Sequence, residues 1–434
     1  MPLSTPYNLF ATLGGLRDAV LSVNFSAHGK FISAAGYNGV IVWDIETSLP
    51  VALPIQRFHP EKPEHVYPAS VWIYFNKSSR HVLLLGSLDG QITAWDWNSE
   101  AMTFECVRLP VSHHPESQIL SLDVHQLHVE TKHRARIIAS FADRSVKSWT
   151  LSPDGNLNHI FTVQMEDFIP KSVRFHTESR NIYIFAMKGG KRVLLDYQTG
   201  AIISCIDKGC DVMASVSLDQ PRNRFVTYSG LDFQLFSLAN LSHIRTYQDE
   251  PPIISYPKQV AFAENGTKIV AGTDRGKVLI YDTESGQLDQ TLIYVKGNLV
   301  QPVAAASFDG MHYIAAAGST LKMPSEVLVW RNSSLDISTN RSEGNAFVQT
   351  SKLNEDPIIF SLRQSTGRLL IRVLTCIFLM SLMFFLILAK PVVKVPPVMI
   401  SSASILRIST KIPASVSHLL ETHILNVLGL AWRD

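Results

Sequence analysis

The stretch GGLRDAVLSVNFSAHGKFISAAGYNGVIVWD, from Gly14 to Asp44, decides the fold. It contains three short runs with β-strand composition, Val20 to Phe25, Phe31 to Ala35 and Val40 to Trp43. Turn residues separate the runs, and Asn38-Gly39 between two apolar runs is a strong hairpin signal, because both central positions of such a turn need a positive φ. The stretch therefore predicts a small antiparallel unit of short strands.

The same pattern recurs six more times before residue 332. Each unit ends on an aromatic or apolar residue, at Trp43, Trp95, Trp149, Leu195, Phe236, Tyr281 and Trp330. The spacings between these positions are 52, 54, 46, 41, 45 and 49 residues. A period of roughly 40 to 50 residues with four short strands per unit is typical of a β-propeller. We therefore predict an all-β fold, a seven-bladed β-propeller over residues 6–332.

These repeats resemble those of the WD-repeat propeller family. The residues that carry the resemblance are Trp43-Asp44, Trp95-Asp96 and Tyr281-Asp282, together with the turn aspartates Asp89, Asp143 and Asp274. The Gly-His pair of the family is replaced by Gly15-Leu16 in unit one, and His65 and His114 stand one residue away from the family position. The resemblance implies incomplete His–Asp–Trp networks, and a ring closed by Tyr7 to Leu13 as the outer strand of the last blade.

The second decisive stretch is LLIRVLTCIFLMSLMFFLILA, Leu369 to Ala389. Its last seventeen residues, from Val373, contain no charge, Pro or Gly. A helix of that length rises about 25 Å, close to the ~30 Å hydrocarbon core of a bilayer, and Arg372 and Lys390 flank it. The alternative is a buried helix of a soluble domain, which is disfavoured because the repeats close a core of their own. We predict a transmembrane helix that contacts the lipid bilayer.

The segments around this span have different compositions. Residues 333–368 are rich in Ser, Thr, Asn and charge, and predict a flexible linker. Residues 390–434 predict a far-side tail with an amphipathic helix at about 413–432, which either lies on the far leaflet or contacts a membrane partner; a weakly structured tail is the open alternative. Because no secretory signal precedes the repeats, we expect the propeller to face the cytosol. The short uncharged core favours the ER or Golgi membrane.

Residues that could carry chemistry are few, and the sequence predicts no enzyme, no cofactor and no metal. A net charge of +2 provides no field that would recruit nucleic acid, and no small-molecule substrate is evident. Gly189-Gly190-Lys191 is interpreted as a hairpin turn, because the pattern of a phosphate loop is longer and leads into a helix. Neither Cys205 nor Cys210 has a neighbour that marks it as reactive. Loop positions are favoured over a metal site for five histidines, His113, His114, His125, His128 and His133.

The architecture favours a membrane-anchored, non-enzymatic scaffold that presents the propeller for protein–protein interaction. The alternative is a guanine-nucleotide exchange factor, because the layout is similar to that of the ER-anchored exchange factor that starts COPII vesicle coats. The resemblance implies a protruding Gly-rich loop in the first blade that grips a small GTPase. Here the corresponding hairpin, Ala34 to Gly39, is short. The sequence assigns neither the partner nor the binding face.

Overall fold

The fold is given by a computed structural model that describes residues 6–37, 39–54, 62–107, 117–130, 133–254, 257–295 and 299–333. These residues form seven sheets, and the innermost strands of neighbouring sheets pack beside one another around a common centre. The predicted seven-bladed β-propeller is confirmed. The predicted linker beyond residue 333, the span at 369–389 and the tail at 390–434 lie outside the described residues.

The strands are numbered in chain order, and β1 (Asn8–Leu16) belongs to the last blade. Blades one to three contain β2 (Val20–Phe25), β3 (Phe31–Gly36), β4 (Gly39–Asp44), β5 (Ala69–Phe75), β6 (Arg80–Gly86), β7 (Ile92–Asn98), β8 (Thr103–Val107), β9 (Ile119–Val124), β10 (His128–Val129), β11 (Ala135–Phe141), β12 (Ser145–Leu151) and β13 (Leu157–Gln164). Blades four and five contain β14 (Pro170–Phe175), β15 (Ile182–Ala186), β16 (Arg192–Leu195), β17 (Ile202–Ile206), β18 (Val216–Asp219), β19 (Arg224–Tyr228), β20 (Phe233–Ser237) and β21 (His243–Tyr247). Blades six and seven contain β22 (Val260–Ala263), β23 (Lys268–Gly272), β24 (Lys277–Asp282), β25 (Leu288–Ile293), β26 (Val300–Phe308), β27 (Met311–Gly318) and β28 (Ser325–Ser333). Short 3-10 turns lie at Ala27–Gly29, Pro63–His65, Asn76–Ser78, Gln220–Arg222 and Glu264–Gly266.

The residue that ends each repeat lies in the third strand of its blade. Six of the seven are buried and Trp149 is half-buried. Apolar clusters fill the space between neighbouring sheets; Trp43 of blade one, for example, belongs to the same cluster as Tyr313 of blade seven. The repeat period therefore marks one buried or half-buried third-strand residue per blade, as expected when each sheet covers its apolar face with the next one.

The ring is closed by the N-terminal strand, as predicted. Strand β1 pairs antiparallel with β28, with Thr12 opposite Leu328. Two further contacts join blade seven to blade one: the Ser319 hydroxyl donates to the Val20 carbonyl at 2.6 Å, and the backbone N–H of Lys322 donates to Asp18 at 2.6 Å. Because β1 covers the outer edge of β28, blade seven does not depend on the chain that follows it.

Blade one differs from the prediction of four strands per unit. Its sheet has three strands, β2, β3 and β4. Within the described part of this blade, only a single bridge between Trp43 and Pro50 continues the sheet, supported by Val51 N–H donating to the Val42 carbonyl at 2.8 Å. Pro50 lies between the Asp44 N–H bond to the Leu49 carbonyl and the Val51 bond, so its missing N–H removes no bond to β4. The chain then turns to blade two, where the Ala52 carbonyl accepts the Phe104 N–H at 2.9 Å.

Blades one to three are joined by contacts that the sequence does not signal. The two-residue strand β10, from the loop of blade three, pairs in parallel with the inner strand β5 of blade two. The Trp72 indole N–H in β5 donates to the Ser33 hydroxyl of blade one at 3.0 Å. Both contacts tie neighbouring sheets together close to the centre of the ring.

Candidate functional site

One face of the propeller carries both the turns between second and third strands and the loops that lead from one blade to the next; we call it the upper face. Between blades five and six the connecting loop runs from residue 248 to 259. Its conformation is held by a buried cation: the Lys258 ammonium lies 2.7 Å from an Asp249 carboxylate oxygen and 3.6 Å from one of Asp274. The Tyr228 ring lies beneath the same ammonium, with its centroid 5.4 Å away.

Asp274 is one of the three turn aspartates on which the WD-repeat resemblance rests. Its second carboxylate oxygen accepts the backbone N–H groups of Ile253 and Ile254, at 2.6 and 3.0 Å. This aspartate therefore connects the turn of blade six to the loop that enters the blade, with Lys258 as its charged partner. The sequence predicted incomplete His–Asp–Trp networks. At this turn the charged partner of the aspartate is a lysine and not a histidine.

The other two turn aspartates have a more local role. Asp143 accepts the backbone N–H and hydroxyl of Ser145 at 2.9 and 2.7 Å. Asp89 accepts from the Ser87 hydroxyl and from the Gln91 amide. Both sets of bonds stay within one turn and stabilise its shape without reaching the next loop.

The upper face of blades five to seven exposes five large apolar side chains. They are Leu231, Ile253, Ile254, Val295 and Met323, and we call them the upper-face apolar set. Between 47% and 64% of the surface of each residue is exposed. Two of them stand on the loop that Asp274 and Lys258 hold in place. Solvent-exposed apolar residues concentrated in one region mark contact surfaces more often than scattered ones do.

Of the five histidines singled out in the sequence, the three that the structure describes do not converge. The imidazole of His125 bonds to the Thr177 carbonyl at 2.8 Å. The Nε2 atom of His128 lies 3.1 Å from the Nε2 atom of His28. The Nδ1 atom of His133 lies 3.9 Å from a carboxylate oxygen of Glu130. His113 and His114 lie outside the described residues. Across the ranges that the structure describes, no group of three or more His, Cys, Asp or Glu side chains could hold a metal ion.

The Gly189-Gly190-Lys191 segment is the hairpin between β15 and β16, as interpreted from the sequence. Gly190 has φ +61°, and a Cβ there would lie 2.4 Å from the Gly209 carbonyl oxygen, so the close approach of blades four and five requires glycine. Lys191 forms an ion pair with Asp167. This segment joins two blades and has no features of a phosphate-binding loop.

The two neighbouring cysteines occupy different environments. Cys205 is exposed on β17, whereas Cys210 is half-buried and its thiol donates to the Val212 carbonyl at 3.1 Å. Burial raises the pKa of the Cys210 thiol to about 12. A thiol with so high a pKa is a poor nucleophile at neutral pH.

The hairpin of the first blade bears on the exchange-factor alternative. Strand β3 ends at Gly36 and β4 begins at Gly39, and these two residues pair across the turn. A connection of two residues does not protrude from the blade. Nothing in the described residues therefore favours the exchange-factor function.

The centre of the ring is a polar channel of about 520 Å³. Hydroxyl groups of the inner strands bond from blade to blade: the Ser22 and Ser70 hydroxyls lie 2.9 Å apart, and the Ser121 hydroxyl accepts the Val173 N–H at 3.3 Å. The channel also contains charged groups of blades three and four, namely Asp123, Lys171 and Arg174.

Asp123 and Arg174 compensate each other. The Asp123 carboxylate is half-buried and accepts the backbone N–H of Phe175 at 2.8 Å. Burial raises the pKa of Asp123, while the charge of Arg174 and the bond from Phe175 act in the opposite direction. The Arg174 guanidinium in turn donates to the Ser121 hydroxyl at 3.2 Å. Neither the channel nor the upper-face apolar set was assigned from the sequence, because both depend on residues that are distant along the chain.

Comparison of the sequence with known protein families and with curated proteins found no match. Among the described residues, no helix is long and apolar enough to span a membrane. The coarse class, a seven-bladed β-propeller with surfaces suited to protein–protein interaction, therefore rests on the geometry described above.

Proposed function

We propose that this chain is a non-enzymatic scaffold of divergent WD repeats, anchored in a membrane, that binds a protein partner on the upper face of blades five to seven. The observation that carries the proposal is the upper-face apolar set. Because these apolar side chains are exposed at loop tips, they contribute little to the stability of the propeller. When a partner covers them, the removal of apolar surface from water contributes favourable binding free energy. The partner that fits is a protein segment with apolar side chains.

The loop that bears Ile253 and Ile254 supports the proposal through its rigidity. Its backbone N–H groups are held by Asp274, and Asp274 is held by the buried Lys258 ammonium. A surface that is already ordered loses less conformational entropy when a partner binds it. The buried ionic group therefore acts as a support for the exposed apolar pair.

The anchor is proposed from sequence. The uncharged residues of Leu369 to Ala389 are long enough to cross a thin bilayer, and the basic residues Arg372 and Lys390 flank them. The proposed site is the ER or Golgi membrane, with the propeller in the cytosol. Anchoring would raise the effective concentration of the upper face towards partners on the same membrane.

The binding face is tested by proximity labelling from a biotin ligase fused to the N-terminus of the full chain. The variant Ile253→Ser with Ile254→Ser removes the apolar pair, and Leu288→Ser on β25 is the matched control, because Leu288 is also exposed but lies on an outer strand. We expect the double variant to lose a defined subset of labelled proteins at least about tenfold, which corresponds to about 1.4 kcal/mol of binding, and the control to retain it. The lost protein should then bind the purified wild-type chain directly.

Two results would contradict this assignment. Identical labelling profiles for the double variant and the wild type would exclude the upper-face apolar set as the binding surface. Equal loss in the Leu288→Ser control would show that the effect is not specific to the face. Circular dichroism melting of each variant verifies that the propeller is still folded.

The anchor is tested separately by deleting residues 369–389. We expect the full chain to remain in the membrane pellet after alkaline carbonate extraction and the deletion variant to move to the supernatant. Labelling of lumenal rather than cytosolic proteins by the N-terminal fusion would reverse the proposed orientation.

A further inference from the structure

The inner strand of blade four carries a lysine that is not compensated inside the ring. Lys171 lines the central channel, and among the residues that the structure describes its ammonium has neither a hydrogen-bond acceptor nor a carboxylate partner. A fully exposed lysine bonds to bulk water, but Lys171 is half-buried on the channel wall. A cation in such a place has lost solvation without gaining a protein partner.

A β-bulge explains why Lys171 faces the channel. In a regular strand Lys171 would share the face of Val173, which is fully buried between blades. The register between β14 and β15 shifts between Pro170 and Ser172, so Lys171 is the extra residue. Bulges re-aim a side chain in this manner, and here the result is an ammonium on the channel wall.

The charges around Lys171 are unequal. Among the residues that the structure describes, the charged ones on the channel wall are Lys171, Arg174 and Asp123, two cations and one anion. The carboxylate of Asp123 interacts with Arg174 on the neighbouring part of the wall. The charge of Lys171 therefore remains as a single uncompensated positive charge.

The rest of the wall offers neutral polar groups on several blades. They include hydroxyl and amide side chains, at Ser22, Asn24, Ser70, Ser217, Gln259 and Gln301. The channel volume of about 520 Å³ is in the range of small-molecule pockets. A small ligand with one or two negatively charged oxygen groups would meet a cation on one side and hydrogen-bonding groups on the others.

We propose that the central channel binds a small oxyanion, a carboxylate or a phosphate, with the Lys171 ammonium as its charge partner and inner-strand hydroxyl and amide groups as its hydrogen-bonding partners. This site is separate from the upper-face apolar set and stands on different residues. The scaffold proposal and this one can therefore fail independently.

The pKa of Lys171 gives the binding a defined pH dependence. Desolvation lowers the pKa of Lys171 to about 8, and an anion beside it would favour the protonated form. Binding therefore weakens as pH rises through about 8, because the free lysine must first take up a proton. From pH 7 to 9.5 the protonated fraction falls about 30-fold, and the affinity should fall by the same factor. The other charged groups on the described channel wall are Arg174 and Asp123, which interact with each other.

The experiment uses the purified full chain in a non-ionic detergent, titrated with inorganic phosphate or with succinate at constant ionic strength. Binding is read from the melting temperature and by calorimetry. The variant Lys171→Met removes the cation, Lys171→Arg retains it, and Lys208→Met is the matched control because Lys208 is an exposed lysine. The pH series uses succinate, which stays fully ionised between pH 7 and 9.5.

We expect saturable binding of at least one probe to the wild type, to Lys208→Met and to Lys171→Arg, and at least about tenfold weaker binding to Lys171→Met. Phosphate binding without succinate binding would identify a phosphate site, and the reverse a carboxylate site. Equal binding to wild type and Lys171→Met, or no saturable binding of either probe, would overturn the proposal. Since Lys171→Met removes an uncompensated charge, it should melt no lower than the wild type, and its melting curve verifies this directly.

Discussion

Replacing Lys258 by methionine tests how the loop beneath the upper-face apolar set is stabilised. The Lys258 side chain is 0% exposed, and its partners Asp249 and Asp274 are 3% and 1% exposed. Methionine fills a similar volume but leaves two carboxylates without their cation. Removing one partner of a buried ion pair costs about 3–5 kcal/mol, because an uncompensated charge stays buried.

The expected loss for Lys258→Met is about 3 kcal/mol, at the lower end of that range. One oxygen of Asp274 keeps its two backbone N–H donors, from Ile253 and Ile254. Asp249 keeps the N–H of Glu250, at 2.7 Å. For a ring of about 330 residues the entropy of unfolding is about 0.7 kcal/mol per kelvin, so the melting temperature should fall by about 4 °C.

The assay is thermal unfolding of the full chain followed by circular dichroism. Lys208→Met is the control and should change stability by less than about 0.5 kcal/mol, because Lys208 is exposed. Adding Asp249→Asn to Lys258→Met removes one of the two uncompensated charges and should restore about half of the loss. A fall of less than about 1 °C in Lys258→Met, or no recovery in the double variant, would refute the assignment of a buried ionic support.

Three further predictions concern other parts of the ring. Deleting residues 7–13 removes most of the strand that closes blade seven, and limited proteolysis should then cut blade seven faster than in the intact chain; equal cleavage rates would speak against closure by β1. Burial, together with the charges of nearby basic groups, lowers the pKa of His81 to about 4. The folded state favours the neutral imidazole, so the stability that His81 contributes above pH 6.5 is lost as the pH falls towards 4, by roughly 3 kcal/mol at pH 4. Denaturation at several pH values should show this dependence in the wild type relative to His81→Phe, and parallel pH dependences of the two proteins would contradict it. Iodoacetamide at neutral pH should alkylate exposed Cys205 well before Cys210, whose thiol pKa is about 12; equal labelling by mass spectrometry would count against the burial of Cys210.

Most of the fold could be predicted because its signals are local. The strands of the first unit, read as Val20 to Phe25, Phe31 to Ala35 and Val40 to Trp43, match β2, β3 and β4 to within one residue. Short apolar runs and tight turns carry this information in a few neighbouring residues. The blade count followed from the spacing of the buried third-strand residues.

The candidate sites could not be predicted in this way. Asp274 was recognised as a turn residue, but its bonds to Ile253 and Ile254 depend on how a loop some twenty residues earlier folds over it. Lys258 has no special sequence context, and an ordinary lysine is expected at the surface. Its burial is a property of the joint between two blades.

Composition and periodicity alone thus determined the class of fold and the number of blades, and the resemblance to WD repeats predicted the strand that closes the ring. They also predicted a membrane span at 369–389, which stays a prediction. Only the tertiary structure decided which loop tips expose apolar side chains on one face and which lysine faces the channel without a partner. The physical reason is that strand patterns are set by neighbours along the chain, whereas the environment of Lys171 is set by a bulge and by side chains from other blades.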